Sequence, residues 1–244
     1  MIVKDPFIQR EIMQNKIKEL QSRAASFLQS YCLRVNGVTI SLKEIEVYYY
    51  EKGVFEDYTV HCNELQMNNK FHFYVHRTGK SKDYKPKGGT RCGCDFVLSD
   101  KDNVYYTFLI RGIVIDRELI VGSNNSLKAI LSYTSLSYSE LEGAKVELVP
   151  CKNDCHILPS PRIGLGKPEE EKNVIFHDAE LRMIVCDEYF KQTDKRSKCG
   201  YKLRTDAIDN FLRRQLGSNN MTKEEAIKYS QEMYGAVSRW LKDL

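Results

Sequence analysis

The chain has 244 residues, of which 42% are apolar and 29% charged, and it carries a formal net charge of +4 at pH 7. This composition, without any polar low-complexity tract, excludes an intrinsically disordered protein, and the length allows one large core with an appended helical piece. No run of about eighteen apolar residues occurs, which excludes a conventional membrane-spanning helix.

A long helix opens the predicted fold. From Asp5 to about Gln29, apolar residues recur at the spacing of one helix face. Tyr31 to Val35 can already be extended, and Asn36-Gly37 then turns the chain. The residues before the helix lack the apolar stretch of a secretion signal, so we expect a cytoplasmic protein.

The strand predicted over residues 38–50 combines carboxylates with aromatic side chains. Side chains alternate between the two faces of a strand, which separates a polar and aromatic set from an apolar one. The first set is Glu44, Glu46, Tyr48 and Tyr50, and the second is Ile45, Val47 and Tyr49. An acid beside aromatic rings suits a pocket that holds a flat ring and activates a water next to it. The alternative is a half-buried sheet whose acidic side faces solvent.

A basic loop follows the next predicted strand, which covers residues 71–76. Between His76 and Arg91 the cations greatly outnumber the single acid Asp83, and glycine, serine and proline indicate a loop. The cations are Arg77, Lys80, Lys82, Lys85, Lys87 and Arg91. Such a loop suits contacts with nucleic acid phosphates, and a solvated loop without a partner is the alternative.

A hairpin is predicted over residues 93–98 and 104–115, joined by a polar run at 99–103. Its second strand is apolar almost throughout, which is typical of a central strand of a sheet. Arg111 interrupts this strand and needs a carboxylate, a phosphate or carbonyl groups as partners. It is therefore either a structural ion-pair partner or part of a site.

Shorter elements complete the prediction. They are a helix at 127–131 and strands near 144–149, 173–177 and 180–187. From about Thr205 the pattern is helical to the end, and Thr222 with Glu225 forms the signature of a capping box at the start of a helix.

The eight cysteines, in a chain without a secretion signal, are more typical of free thiols than of disulfides. Two spacings raise the question of a metal site: Cys92-Gly93-Cys94, and Cys151 with Cys155-His156. Neither has the paired two-residue spacing of a zinc ribbon, so we expect neither a metal nor another cofactor.

Four segments of the chain form a recognisable series. They are residues 24–35, then Glu44-Ile45-Glu46-Val47-Tyr48, then the stretch from the basic loop through Gly89-Thr90 to Phe108-Leu109-Ile110-Arg111, and finally Ser126–Leu131 with Ser160-Pro161-Arg162-Ile163-Gly164-Leu165. In this order they resemble the alkyladenine (3-methyladenine) DNA glycosylase family. The second segment is similar to the family's Glu-Thr-Glu-Ala-Tyr strand, the third to its Leu-Leu-Arg strand, and the fourth to its Pro-Arg-Ile-Gly turn. With Leu181-Arg182-Met183 as the closing strand, the likeness covers about residues 7–190.

The resemblance implies roles for particular residues. Glu46 corresponds to the glutamate that activates water, and Tyr48 to the tyrosine that stacks on the extruded base. A histidine packs on the other face of the base; His61 fits its position better, and His76 is the second choice. Asp95 lies near the position at which the family has an asparagine that selects bases by their exocyclic group. A carboxylate at that position would favour a base with a hydrogen-bond donor. The family's intercalating aromatic residue would fall within residues 71–76.

The resemblance also implies an α+β fold: a single domain around a curved, mainly antiparallel sheet or partly open barrel with flanking helices. We expect residues 1–190 to form the glycosylase-like domain and residues 191–244, which have no counterpart in the family, to form a helical extension packed on it. The implied function is a monomeric DNA repair glycosylase that flips alkylated or deaminated purines out of double-stranded DNA and hydrolyses their N-glycosidic bond, with Arg111 and the loop cations on DNA. A non-catalytic DNA-binding relative is one alternative, and a β protein that never meets DNA is another.

Overall fold

An antiparallel sheet of ten strands organises the computed structural model, which describes residues 6–67, 69–83, 85–87, 92–152, 154–190, 198–234 and 237–244. The strands are β1 Tyr31–Val35, β2 Val38–Glu51, β3 Phe55–Glu56, β4 Phe73–Val75, β5 Cys94–Val97, β6 Val104–Ile115, β7 Glu118–Val121, β8 Glu147–Pro150, β9 His156–Ser160 and β10 Arg182–Cys186. The helices are α1 Pro6–Ser30, α2 Ser123–Thr134, α3 Tyr138–Gly143, α4 Val174–His177, α5 Lys198–Gly217, α6 Lys223–Tyr234 and α7 Arg239–Lys242. Short 3-10 helices occur at Glu64–Gln66 and Glu171–Asn173.

The sheet curls strongly into a half-barrel because its two long strands, β2 and β6, pair with several partners along their length. The main order is β4-β5-β6-β2-β1-β8, while β10 also pairs with β2 and carries β9 on its outer edge. The register between β2 and β6 shifts on both sides of Glu44, and such bulges bend a strand. With helices on its flanks this sheet forms one domain, which confirms the predicted fold class.

The apolar face of β2 lies in the main core, as the alternation predicts. Ile45, Val47 and Tyr49 pack there with apolar residues of the neighbouring strands and of helices α1, α2 and α3. Those partners include Leu20, Ala24, Leu28, Phe96, Phe108, Ile110, Leu127, Ile130 and Leu141. The opposite face of β2 is therefore left for its polar side chains.

A second, smaller core holds the C-terminal helices against β9 and β10. Leu158 of β9 and Ile184 of β10 are both fully buried in it. Their buried partners are Phe190, Ala207, Ile208, Leu212, Ala226 and Leu241. Helix α5 thus packs directly on β9, and α6 and α7 complete this core. Residues 191–197 lie outside the described part of the chain.

Most predicted elements are present, among them the long first helix, the hairpin of β5 and β6, and helix α2. The capping box at the start of α6 is also confirmed: Thr222 N–H donates to Glu225 Oε2 at 2.8 Å and Glu225 N–H donates to Thr222 Oγ1 at 3.2 Å. Among the described residues, no helix is long and apolar enough to cross a bilayer.

The strand predicted at 173–177 is wrong. This segment is the end of a 3-10 helix followed by α4, with Asp178 N–H donating to Val174 O at 2.9 Å. Phe176 is buried in the main core while Val174 is 41% exposed, so a single turn of helix buries the aromatic ring. A short apolar run has no periodicity that distinguishes helix from strand.

Candidate active site

One row of residues crosses six strands on the face of the sheet opposite the main core. Residues paired directly across a sheet point to the same side. The register gives the row Ser160, Arg182, Glu46, Leu109, Asp95 and Tyr74, taken in order from β9 through β10, β2, β6 and β5 to β4. We call this side of the sheet the polar face, and all the catalytic and base-stacking candidates except His61 lie on its strands or at their ends.

Glu46 is at the middle of the polar face and is fully buried. Its Oε1 accepts a hydrogen bond from the backbone N–H of Ile163 at 2.9 Å, and its Oε2 accepts one from the hydroxyl of Tyr48 at 3.0 Å. Arg111 Nε lies 3.4 Å from Oε1. The carboxylate is therefore fixed in position by donors from three separate parts of the chain.

The segment after β9 folds over β2 because Arg162 anchors it. The guanidinium of Arg162 is fully buried and bonds Asp57 Oδ2 at 2.7 Å and the carbonyl of Phe176 at 2.7 Å. Gly164 then turns the chain at φ +75°, a conformation that favours glycine. As a result, Ile163 presents its N–H to Glu46.

Tyr48 is half-buried between its neighbours on the polar face. The guanidinium carbon of Arg162 lies 4.7 Å from the centroid of its ring, within the range of a cation–π contact. Burial and the nearby Glu46 raise the pKa of Tyr48 well above its usual value. The phenol therefore stays protonated and continues to donate to Glu46 at any physiological pH.

Arg111 faces the two acids of β2. Its Nε lies 3.3 Å from Glu44 Oε1, and the same oxygen accepts a 2.9 Å hydrogen bond from Arg182 Nε. Burial opposes the charge of Arg111, but Glu46 and Glu44 outweigh it and raise the arginine pKa. The predicted role of Arg111 on DNA phosphate does not match this arrangement, since its guanidinium is engaged by carboxylates inside the site.

The two candidate histidines lie side by side. The ring centroids of His61 and His76 are 4.8 Å apart at an angle of 74°. His61 Nδ1 is 3.1 Å from the hydroxyl of Tyr74, and its Nε2 is 3.4 Å from Lys87 Nζ. Burial first, and then the neighbouring His76, lower the pKa of His61 to about 4. A neutral imidazole at this position is suited to stacking on a base.

Asp95 is buried behind hydrogen bonds. It accepts from His76 Nε2 at 2.6 Å, from Gln66 Nε2 at 2.8 Å and from Thr107 Oγ1 at 2.9 Å. Burial alone would raise its pKa, but His76 and the other donors lower it below the ordinary value. The predicted contact of Asp95 with a base does not match, because both of its oxygens are bonded within the protein; it orients His76 instead.

Three lysines of the described basic loop are exposed. Lys80, Lys82 and Lys85 are on the surface, whereas Lys87 is half-buried beside His61. Asn63 holds the loop near the site, since its side-chain amide donates to the carbonyls of Gly79 and Ser81 at 2.7 and 3.0 Å. Arg91 and Gly89-Thr90 lie outside the described residues.

Arg77 differs from the other cations of the basic loop. It is buried, and its guanidinium makes a two-pronged ion pair with Glu142 of α3 and a 2.8 Å hydrogen bond to the carbonyl of Val75. Its predicted contact with DNA therefore does not match, because the guanidinium is engaged inside the protein. It joins β4 to α3 instead.

The region predicted to hold an intercalating residue is a buried strand. Phe73 and Val75 lie in the main core, and Tyr74 is fully buried on the polar face. Phe71 is half-buried and its ring is parallel to that of Phe96 at 6.0 Å. None of these four side chains is placed to enter a duplex.

Several contributors to the site were not predicted individually: the N–H of Ile163, the Arg162 and Asp57 pair, and Tyr74. The Pro-Arg-Ile-Gly segment was the only sequence signal for the first two. Within the described residues, no cluster of three or more histidine, cysteine or acidic side chains is arranged to hold a metal ion.

Comparison with known proteins adds no relative, since no protein-family model and no curated protein matches the chain.

Proposed function

We propose that the protein is a monofunctional DNA glycosylase that hydrolyses the N-glycosidic bond of alkylated or deaminated purines after base flipping. One observation carries the proposal. Two segments that resemble the alkyladenine DNA glycosylase family, 117 residues apart, meet at one buried carboxylate, where Tyr48 and Ile163 both donate to Glu46. A single short sequence match arises easily by chance. Two such matches that meet at one buried carboxylate support a shared function much more strongly.

The substrate must leave the duplex to reach this site. Extruding a nucleotide costs a few kcal/mol, and least for a damaged or mispaired base. The half-buried rings of Tyr48 and His61 offer aromatic surface for the extruded purine. Because the depressed pKa of His61 keeps its imidazole neutral, a purine meets no additional positive charge from it.

Glu46 would supply the chemistry. A carboxylate next to the sugar can orient a water for attack and stabilise the positive charge that develops on deoxyribose as the base departs. Glu46 is shielded by Tyr48 and Arg111, so we expect the bound base to move the Tyr48 hydroxyl away from Oε2. Ile163 N–H would hold Oε1 in place throughout.

The exposed cations of the basic loop would bind phosphates beside the flipped nucleotide. Lys80, Lys82 and Lys85 are free to do so, and Asn63 fixes their loop close to His61. We further propose that the protein acts as a monomer in the cytoplasm.

The direct test is base release. Purified protein would be incubated with duplexes that carry hypoxanthine, ethenoadenine or a methylated purine, and abasic sites would then be cleaved with alkali. We expect shortened strands from at least one lesion and none from undamaged DNA. Intact strands from every lesion at high enzyme excess would contradict a glycosylase.

A second candidate function is a DNA-binding relative without catalysis. The full burial of Glu46 against Arg111 favours it, since a charge locked in an ion pair is a structural element in many proteins. Such a protein would bind lesion-bearing duplexes with an affinity that falls steeply with salt, yet release no base.

A further inference from the structure

A pair of tyrosines extends the polar face beyond Tyr48. Tyr50 is two residues after Tyr48 on β2, and Tyr105 is directly opposite Tyr50 on β6. Their ring centroids are 5.9 Å apart at 70°, an edge-to-face contact, and both rings are half-buried. The next residues inward, Tyr48 and Thr107, form the neighbouring cross-strand pair. The tyrosine pair is thus continuous with the candidate active site.

The spacing of these rings suits two separate bases. Residues on one face of a strand repeat about every 6.6 to 6.8 Å, which is roughly twice the 3.4 Å rise between stacked bases. Two successive nucleotides can therefore place one base at Tyr48 and the next at Tyr50 only when the two bases are unstacked from each other. A fully stacked duplex cannot supply this arrangement.

A cation of the basic loop belongs to the same patch. The 3-10 helix Glu64–Gln66 packs against β6, the strand that carries Tyr105. The Lys80 carbonyl accepts a 2.9 Å hydrogen bond from Glu64 N–H, which fixes this part of the loop. The exposed ammonium groups of Lys80 and Lys82 can bind phosphate at the edge of the tyrosine patch.

Acidic side chains define what the tyrosines themselves can bind. Glu56 is directly opposite Tyr50 on β3, and Glu64 begins the 3-10 helix that packs against β6, so carboxylates lie near the rings. This environment repels a phosphate and accepts the flat, uncharged ring of a base. Aromatic platforms flanked by cations are the usual means of binding unpaired nucleic acid strands.

We propose that Tyr50 and Tyr105 form a second base-binding subsite, which holds the unstacked neighbour of the base at Tyr48. The preferred substrate is then a lesion in a single strand, or in a bulge or mismatch of at least two nucleotides, where two successive bases are already unpaired. This inference rests on the proposed function, because it takes Tyr48 as the position of the first base.

The test asks whether Tyr50 and Tyr105 bind the base next to the lesion. The probe is a fluorescein-labelled single-stranded oligonucleotide with one 2′-fluoro hypoxanthine nucleotide, whose glycosidic bond resists hydrolysis. In two further probes, the nucleotide on the 5′ or the 3′ side has no base. For the wild-type protein, removing the base on one side should weaken binding by roughly five- to hundredfold.

The variants locate that effect. Tyr50→Leu and Tyr105→Leu should bind the complete probe as weakly as the wild type binds the probe that lacks a neighbouring base, and should no longer respond to its removal. Tyr50→Phe retains the ring and should restore binding. Tyr133→Leu removes an exposed tyrosine on α2 and serves as the matched control with unchanged affinity. Thermal unfolding identifies any variant that fails to fold, in which case the response of the wild type to removal of each neighbouring base still decides.

Two failures have different meanings. If the wild type binds all probes equally well and still releases hypoxanthine, the second subsite is overturned and the glycosylase stands. If no oligonucleotide binds and no base is released, both proposals are overturned.

Discussion

Ile163 and Glu46 are 117 positions apart in the sequence, yet the N–H of Ile163 donates a 2.9 Å hydrogen bond to Glu46 Oε1. The position of the carboxylate therefore depends on the segment after β9 as well as on its own strand. Arg162, which anchors that segment, also lies over the ring of Tyr48. The acid and the stacking ring are thus held by the same turn.

Glu46→Gln should abolish base release while leaving DNA affinity nearly unchanged. The amide has the same shape and can still accept from Ile163, but it cannot activate water. We expect the rate to fall by about a hundred- to ten-thousandfold. Single-turnover assays on lesion duplexes and fluorescence anisotropy would measure the two quantities.

Glu147→Gln, at an exposed position on β8, is the matched control for this change and should behave as wild type. An unchanged rate in Glu46→Gln would remove Glu46 from the mechanism.

Arg162→Met should destabilise the protein strongly, because it leaves the buried carboxylate of Asp57 without its 2.7 Å partner. Breaking a buried pair in this way typically lowers the free energy of unfolding by about 3 to 5 kcal/mol. The double variant Arg162→Met with Asp57→Leu removes both charges and should recover part of that loss. Urea unfolding measures both, and a double variant no more stable than Arg162→Met would argue against an uncompensated charge as the cause.

The stability of the protein should fall as the pH drops from about 6.5 to about 4. The pKa of His61 is lowered from 6.5 to about 4 in the folded state, so in this window the unfolded chain binds a proton that the folded chain does not. That proton favours unfolding, and below pH 4 the effect no longer grows. Thermal unfolding of His61→Gln across this range should show a flatter dependence than the wild type.

The control for the pH experiment is His72→Gln, at a half-buried histidine outside the site. An equal flattening in this variant would show that the dependence does not come from His61.

The basic loop should contribute to DNA affinity through its exposed lysines. Replacing Lys80, Lys82 and Lys85 by alanine should weaken duplex binding and reduce the slope of log K against log salt by up to about 0.9 for each phosphate that the variant no longer neutralises. Lys152→Ala removes an exposed cation elsewhere and is the control. A slope equal to that of the wild type would place the DNA-binding surface on another part of the protein.

Sequence alone predicted what depends on local periodicity. The separation of Glu46 and Tyr48 from Ile45 and Val47 follows from the alternation of a strand, and the structure has it. Contacts between distant segments were beyond the same reasoning. Arg77 and Lys80 stand in one basic run, but only the packing of α3 puts Glu142 beside the first of them.

The hydrogen bond between Asp95 and His76 was also beyond prediction from local sequence. The resemblance placed Asp95 near a base-selecting position and offered His76 only as a second choice. Their 2.6 Å hydrogen bond arises because Tyr74 pairs with Asp95 across β4 and β5, which brings the next same-face residue, His76, within reach. Strand register of this kind is set by the whole sheet and leaves no local signature.

The register shifts around Glu44 make β2 sensitive to any change in its number of residues. Because side chains alternate, one residue inserted or deleted just after the bulge would exchange the two sides of the strand. Ile45 and Val47 would meet Arg111, and a carboxylate would enter the core beside Phe108 and Ile110. Directed evolution of this scaffold should therefore accept substitutions in β2 far more readily than changes in its residue count.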